Sequence, residues 1–121
     1  MTGTTDPNKR TATAPEGPHE GRVLLFNCFD VEPGREDAFT ELWTATSGYF
    51  RAQPGFMGLR LHRAVSPDAR YRFINVATWA SAQDFYAAHQ GDEFFKAVSQ
   101  PGWQEFPSSP ALYEVVTEDA R

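Results

Sequence analysis

A short, mainly apolar run at residues 22–31 (RVLLFNCFDV), bounded by Gly21 and by Pro33-Gly34, reads as a strand. Val23, Leu25, Asn27, Phe29 and Val31 fall on one face, and Leu24, Phe26, Cys28 and Asp30 on the other. Both faces are mostly apolar, as expected of a central strand covered on both sides. Pro33-Gly34 breaks the strand. Glu36 and Asp37 then suit the first turn of a helix, where backbone N–H groups favour negative charge. Phe39, Leu42, Trp43, Thr46, Tyr49 and Phe50 recur at helical spacing, so residues 35–52 are expected to form an amphipathic helix ended by Pro54-Gly55.

Residues 56–64 (FMGLRLHRA) and 70–79 (RYRFINVATW) read as two strands joined by the turn-rich Ser66-Pro67-Asp68-Ala69, an antiparallel hairpin. On the later strand Tyr71, Phe73, Asn75, Ala77 and Trp79 share a face. Ser81 with Asp84 three residues on resembles a capping box, with a shorter acid than the usual Glu or Gln. A second helix follows through Phe85, Tyr86, Ala88 and His89, is interrupted at Gly91-Asp92, and resumes for a turn or two around Phe94, Phe95 and Val98. A Pro-rich loop is expected at 101–110 and a last strand at 111–117 (ALYEVVT). The order β-α-β-β-α-β is the split-βαβ, ferredoxin-like α+β arrangement: a four-stranded antiparallel sheet with its helices on one face. The other face carries large apolar groups too, and no further chain is left to cover it. A homodimer packed sheet against sheet would do so.

Residues 1–20 lack apolar periodicity and read as a flexible tail, leaving one domain at 21–121. The 121 residues carry 16 Asp and Glu against 11 Lys and Arg, with no basic stripe, which argues against a nucleic acid or an anionic membrane as partner. No secretory leader is evident, and the lone Cys28 excludes an intrachain disulfide; the expected location is cytoplasmic. A lone thiol on an apolar strand reads as a small buried hydrophobe.

The candidate chemistry is polar residues on apolar faces. Asn27 and Asn75 interrupt the first and third strands, and Trp79 shares the face of Asn75. Such amides either pair with backbone or line a cavity and hold a ligand oxygen. Of the histidines, His19 lies in the tail, His62 on the second strand and His89 late in the second helix. No pair has metal-ligand spacing, so no metal site is expected. No Gly-rich phosphate loop follows a strand, which argues against NAD or ATP. No cofactor is expected.

These pieces together resemble the antibiotic biosynthesis monooxygenase superfamily. The carriers are Asn27-Cys-Phe-Asp-Val-Glu-Pro-Gly34, Gln53-Pro-Gly-Phe56, Phe73-Ile-Asn-Val-Ala-Thr-Trp79, and Trp79-Ala-Ser81 followed by Phe85, over residues 22–117. The resemblance implies a dimeric α+β barrel. Its haem-degrading branch has a first-strand Asn, matched by Asn27, but places Ala88 at a Trp position and Val98 at the axial His position. Val98 cannot ligate iron. Its cofactor-free anthrone oxygenase branch uses a first-strand Asn and an Asn-x-x-x-Trp, matched by Asn27, Asn75 and Trp79. Phe85 stands where some members have Tyr, and about Ser99 where some have Arg; Tyr86 is adjacent to Phe85 but about 100° around the helix.

The resemblance implies an oxygenase that uses dioxygen to convert a phenolic, anthrone-type polyketide to a quinone. Asn27, Asn75 and Trp79 would bind the enolate oxygens, and the proton would leave to His89, His62, Tyr86 or water. Phe29, Phe73, Phe85, Tyr86 and His62 are the expected substrate contacts. A polyketide cyclase or isomerase in the same pocket, and a non-enzymatic ligand-binding dimer, are the alternative readings.

Overall fold

A computed structural model describes residues 21–120, so the expected tail and Arg121 lie outside the described residues. The elements are β1 (Val23–Phe29), α1 (Glu36–Arg51), β2 (Phe56–Arg63), β3 (Phe73–Trp79), α2 (Ala82–Ala88), α3 (Asp92–Val98), a 3-10 turn (Trp103–Glu105) and β4 (Ser108–Tyr113). They build one antiparallel four-stranded sheet in the order β2-β3-β1-β4, the ferredoxin-like α+β fold.

The central pair β1 and β3 is in register from Val23↔Trp79 to Phe29↔Phe73, which sets Asn27 opposite Asn75. Their helix-side residues form two apolar clusters. Val23, Leu25, Ala77 and Trp79 pack with Ala82, Phe85 and Ala88 of α2. Phe29 and Phe73 pack with Phe39 of α1 and with Phe106. Phe39 is fully buried and stacks on Phe73 with ring centroids 4.6 Å apart. The two asparagines sit between these clusters, at the level of the sheet where the apolar row is broken. Leu24, Phe26 and Cys28, on the opposite face of β1, are only half-buried.

Local sequence signals explain the element ends. The Ser81 hydroxyl accepts the Asp84 backbone N–H at 3.0 Å and caps α2. The shorter Asp84 carboxylate accepts from the Ser81 hydroxyl instead of reaching back to its backbone N–H as a Glu would. Gly55 turns the chain into β2 with φ +84°, and a Cβ there would lie 2.3 Å from the Asp84 side chain, so only glycine fits. Gly91, at φ +92°, separates α2 from α3.

Two strand boundaries differ from the sequence expectation. The last strand is Ser108–Tyr113, not 111–117, and Val115 and Val116 are 60% and 86% exposed. β4 is an edge strand, where a residue without an N–H is tolerated, so Pro110 pairs with Asn27 instead of marking a loop. The third strand begins at Phe73, not at 70. Tyr71 precedes it, and Arg70 lies over its ring at 4.4 Å.

Candidate active site

A cavity of about 320 Å³ opens between the sheet and the helices. Its floor is the helix-side face of the sheet: Leu25, Asn27 and Phe29 from β1, Asn75, Ala77 and Trp79 from β3, Phe56 and Leu59 from β2, Ser108 and Pro110 from β4. Trp43, Thr46, Ser47 and Phe50 of α1 form one wall. Phe85 and His89 at the end of α2, then Phe94, Phe95, Val98 and Ser99 along α3, form another, with Trp103 closing a corner. None of these side chains is Asp, Glu, Lys or Arg, so the cavity is an uncharged chamber rich in aromatic rings.

A β-bulge shapes the floor. The β2 register shifts between Phe56 and Gly58, so Phe56 and Leu59, an odd number of residues apart, both reach the cavity. Beyond the bulge Leu59 and Leu61 keep the helix side, and His62 turns to the other face. It is exposed, with Nδ1 3.2 Å from the Ile74 carbonyl. His62, expected as a substrate contact, therefore lies outside the cavity lining, because alternation along the strand assigns it to the opposite face.

The expected Asn27, Asn75 and Trp79 are brought together. Asn75 is 9% exposed and Trp79 1%. Asn27 Oδ1, Asn75 Oδ1 and Trp79 Nε1 are all buried without a hydrogen-bond partner. Each such atom costs on the order of 1–3 kcal/mol if left unbonded, so three beside one cavity make it the candidate ligand site. A half-turn of each amide exchanges its oxygen and nitrogen, so each asparagine can offer an acceptor or a donor.

His89 is half-buried among rings: Phe85 at 4.0 Å between centroids, Phe50 at 5.1 Å and Phe94 at 5.2 Å. Its Nδ1 lies 2.6 Å from the Phe85 carbonyl oxygen. A carbonyl only accepts, so Nδ1 carries the proton and Nε2 keeps its lone pair. Burial lowers the pKa of His89 below the ordinary value, and the bond to the Phe85 carbonyl opposes this in part. At neutral pH the ring is therefore uncharged, in a wall of aromatic side chains.

The remaining expected contacts divide. Phe29 and Phe85 line the cavity, whereas Phe73 is absorbed into the neighbouring cluster against Phe39. Tyr86 packs against the α2 cluster and is not part of the cavity lining. Its buried hydroxyl has no partner, and burial raises its pKa, so it stays protonated. Cys28 is half-buried and lies between Asn27 and Phe29 on the opposite face; burial raises its pKa as well. Among the described residues no group of His, Cys, Asp and Glu is arranged to hold a metal ion, and no helix is long and apolar enough to cross a membrane. The wall residues Trp43, Thr46, Ser47, Phe94, Phe95 and Trp103 were not singled out from sequence as site residues. Thr46 was the legible one, a hydroxyl within an otherwise aromatic and aliphatic helical stripe.

A ferredoxin-like sheet roofed by helices, with paired amides on the floor of an aromatic cavity, defines a small-molecule site. Comparison with known proteins places the chain more closely. Residues 22–100 match the antibiotic biosynthesis monooxygenase family, and the chain belongs to it. It is similar to deoxynogalonate monooxygenase of Streptomyces nogalater, with 29% identity over 104 residues, 86% of this chain and 76% of the relative. A candidate monooxygenase from Shewanella loihica PV-4 superposes with a TM-score of 0.71 at 33% identity, covering 84% of this chain and all of that one. SnoaB, a cofactor-independent oxygenase from Streptomyces nogalater, shares the fold with a TM-score of 0.67 at 23% identity, covering 81% of this chain and 96% of SnoaB.

Proposed function

We propose that the chain is a cofactor-independent oxygenase that converts a phenolic, anthrone-type polyketide intermediate to a quinone with dioxygen, working as a homodimer. The observation that carries this reading is the trio of unpartnered buried atoms, Asn27 Oδ1, Asn75 Oδ1 and Trp79 Nε1, beside a neutral aromatic cavity with a bare imidazole nitrogen. A flat polyphenol fits such walls by stacking, and its oxygens supply the missing bonds. The names of the similar Streptomyces proteins, a deoxynogalonate monooxygenase and a cofactor-independent oxygenase, support the same chemistry.

The electrons come from the substrate. His89 Nε2 takes a proton from the ring methylene, leaving a carbanion delocalised onto the phenolic and carbonyl oxygens. Asn27 and Asn75, with their amide N–H₂ turned inward, and the Trp79 N–H hold that oxyanion, in a chamber where fixed dipoles act strongly. The carbanion passes one electron to dioxygen, and the radical pair recombines into a C–O bond. The peroxide O–O bond then breaks as the second methylene hydrogen leaves. One oxygen atom becomes the quinone carbonyl, and the other departs as water with the proton returned by His89.

The test is oxygen uptake by the purified protein on an anthrone, without added reductant and in the presence of a chelator. Uptake above the spontaneous rate, with one quinone per dioxygen, supports the proposal. No uptake, with a cyclised product from a poly-β-ketone, assigns the pocket to ring closure instead. Saturable binding of both without turnover makes the chain a ligand carrier.

A further inference from the structure

We infer that Thr46 is a ligand-binding donor on the helix wall, which binds an oxygen placed on the edge of the ligand remote from the asparagines. The inference rests on the oxygenase reading for the class of ligand, a hydroxylated fused-ring ketone. Its geometry comes from the hydroxyls of α1. Thr40 donates to the Glu36 carbonyl at 2.7 Å, Thr44 to the Thr40 carbonyl at 2.8 Å, and Ser47 to the Thr44 carbonyl at 3.3 Å. That is the usual use of a hydroxyl in mid-helix. Thr46 departs from it. Its side chain is buried, 7% exposed, and lines the cavity. Its Oγ1 accepts the Trp103 Nε1–H at 2.9 Å and the Gln100 amide at 3.3 Å.

A hydroxyl oxygen has two lone pairs and one proton. Two N–H donors engage the acceptor capacity of Thr46, so it can add only as a donor. Among the described residues none takes that proton. Neither donor is free to turn away: Trp103 is wedged against Phe29 and Phe39, and the Gln100 amide nitrogen also donates to the Ala97 carbonyl at 3.2 Å. The Thr46 hydroxyl is therefore left with a proton to donate, on the α1 wall of the cavity whose floor carries Asn27 and Asn75. A ligand whose phenolic edge rests on the asparagines and whose opposite edge bears a carbonyl meets both poles. A ligand with a methylene at the opposite edge, as in the anthrone before oxidation, leaves that donor unpaired, so Thr46 favours the oxygenated states of that carbon, the peroxide and the quinone.

The experiment compares two ligands that differ at one edge, 1,8-dihydroxyanthraquinone and 1,8-dihydroxyanthrone. They are titrated without oxygen and followed by quenching of tryptophan fluorescence. The wild-type protein should bind the quinone roughly three- to tenfold more tightly, the range of one neutral hydrogen bond. Thr46→Val should abolish that preference by weakening the quinone and sparing the anthrone, and Thr46→Ser should keep it. Equal affinity of the wild-type protein for the two ligands overturns the inference whether or not the valine variant folds. Equal weakening of both ligands by Thr46→Val also overturns it, since Thr46 would then only anchor Trp103 and Gln100. Failure of the oxygenase reading shows separately, as preferential quinone binding without oxygen uptake on the anthrone.

Discussion

Asn27 and Asn75 face each other across β1 and β3, where every neighbour along the same face is apolar. Their carbonyl oxygens and the Trp79 N–H are buried with no hydrogen-bond partner among the described residues. Removing one oxyanion donor from such a site costs about 10²–10³ in turnover. Asn75→Ala and Trp79→Phe should therefore lose activity on that scale while the circular dichroism spectrum stays native; full activity in either would make these side chains structural. His89 gives a pH prediction with a definite sign. Its folded pKa lies below the ordinary 6.5, so the neutral ring persists to lower pH and the acidic limb of kcat/KM should fall below 6.5. The stability consequence runs the same way. Below about pH 6.5 the unfolded chain takes a proton that the folded ring resists, so unfolding free energy should drop as pH falls from there to the folded pKa and level off beneath it. Urea titrations between pH 7 and 5 should show that slope in the wild-type protein and its loss in His89→Gln.

At the scale of elements, the periodicity of α1 and β3 was legible because each buries a face, and burial is what writes a period into a sequence. The interrupted α2–α3 pair was legible too, from Gly91 and the Ser81 cap. What escaped were places where a neighbour decides. Pro110 reads as loop until one knows that β4 is an edge strand, and Val115-Val116 reads as strand although nothing covers it. The bulge at Phe56 to Gly58 inverts which β2 residues reach the cavity, and no alternation count reveals it; beyond it His62 faces away from the cavity. Phe73 shares its strand face with Asn75, but its packing against Phe39, not the period, decides that it misses the cavity. Gly55 provides the test of element geometry. Its left-handed φ and the 2.3 Å approach of Asp84 to any Cβ predict that Gly55→Ala loosens the α1–β2 junction. The expected loss is roughly 1–3 kcal/mol, read as a lower urea midpoint with an unchanged m-value.

At the scale of the whole molecule, the sheet has two faces and the described chain covers one. α1, α2 and Phe106 pack on the side of Leu25, Phe29 and Trp79. The reverse side presents Leu24, Phe26 and Cys28 of β1 beside Ile74 and Val76 of β3, all half-buried, with Phe26 edge-on to Tyr113 at 5.0 Å. A continuous apolar sheet face of this kind is rarely left to water, and antiparallel sheets commonly stack face to face about 10 Å apart. A second copy offers a self-complementary surface of the same kind, which a two-fold axis would bring together. Sedimentation should therefore show a dimer at micromolar concentration. Phe26→Glu and Val76→Glu each place a carboxylate at the centre of that face, where two copies would bury like charges together. Either variant should sediment as a folded monomer, with the helix-side cavity and its ligand binding retained if the two faces act independently. A wild-type protein that sediments as a monomer, with those substitutions changing nothing, would leave the reverse face as plain surface.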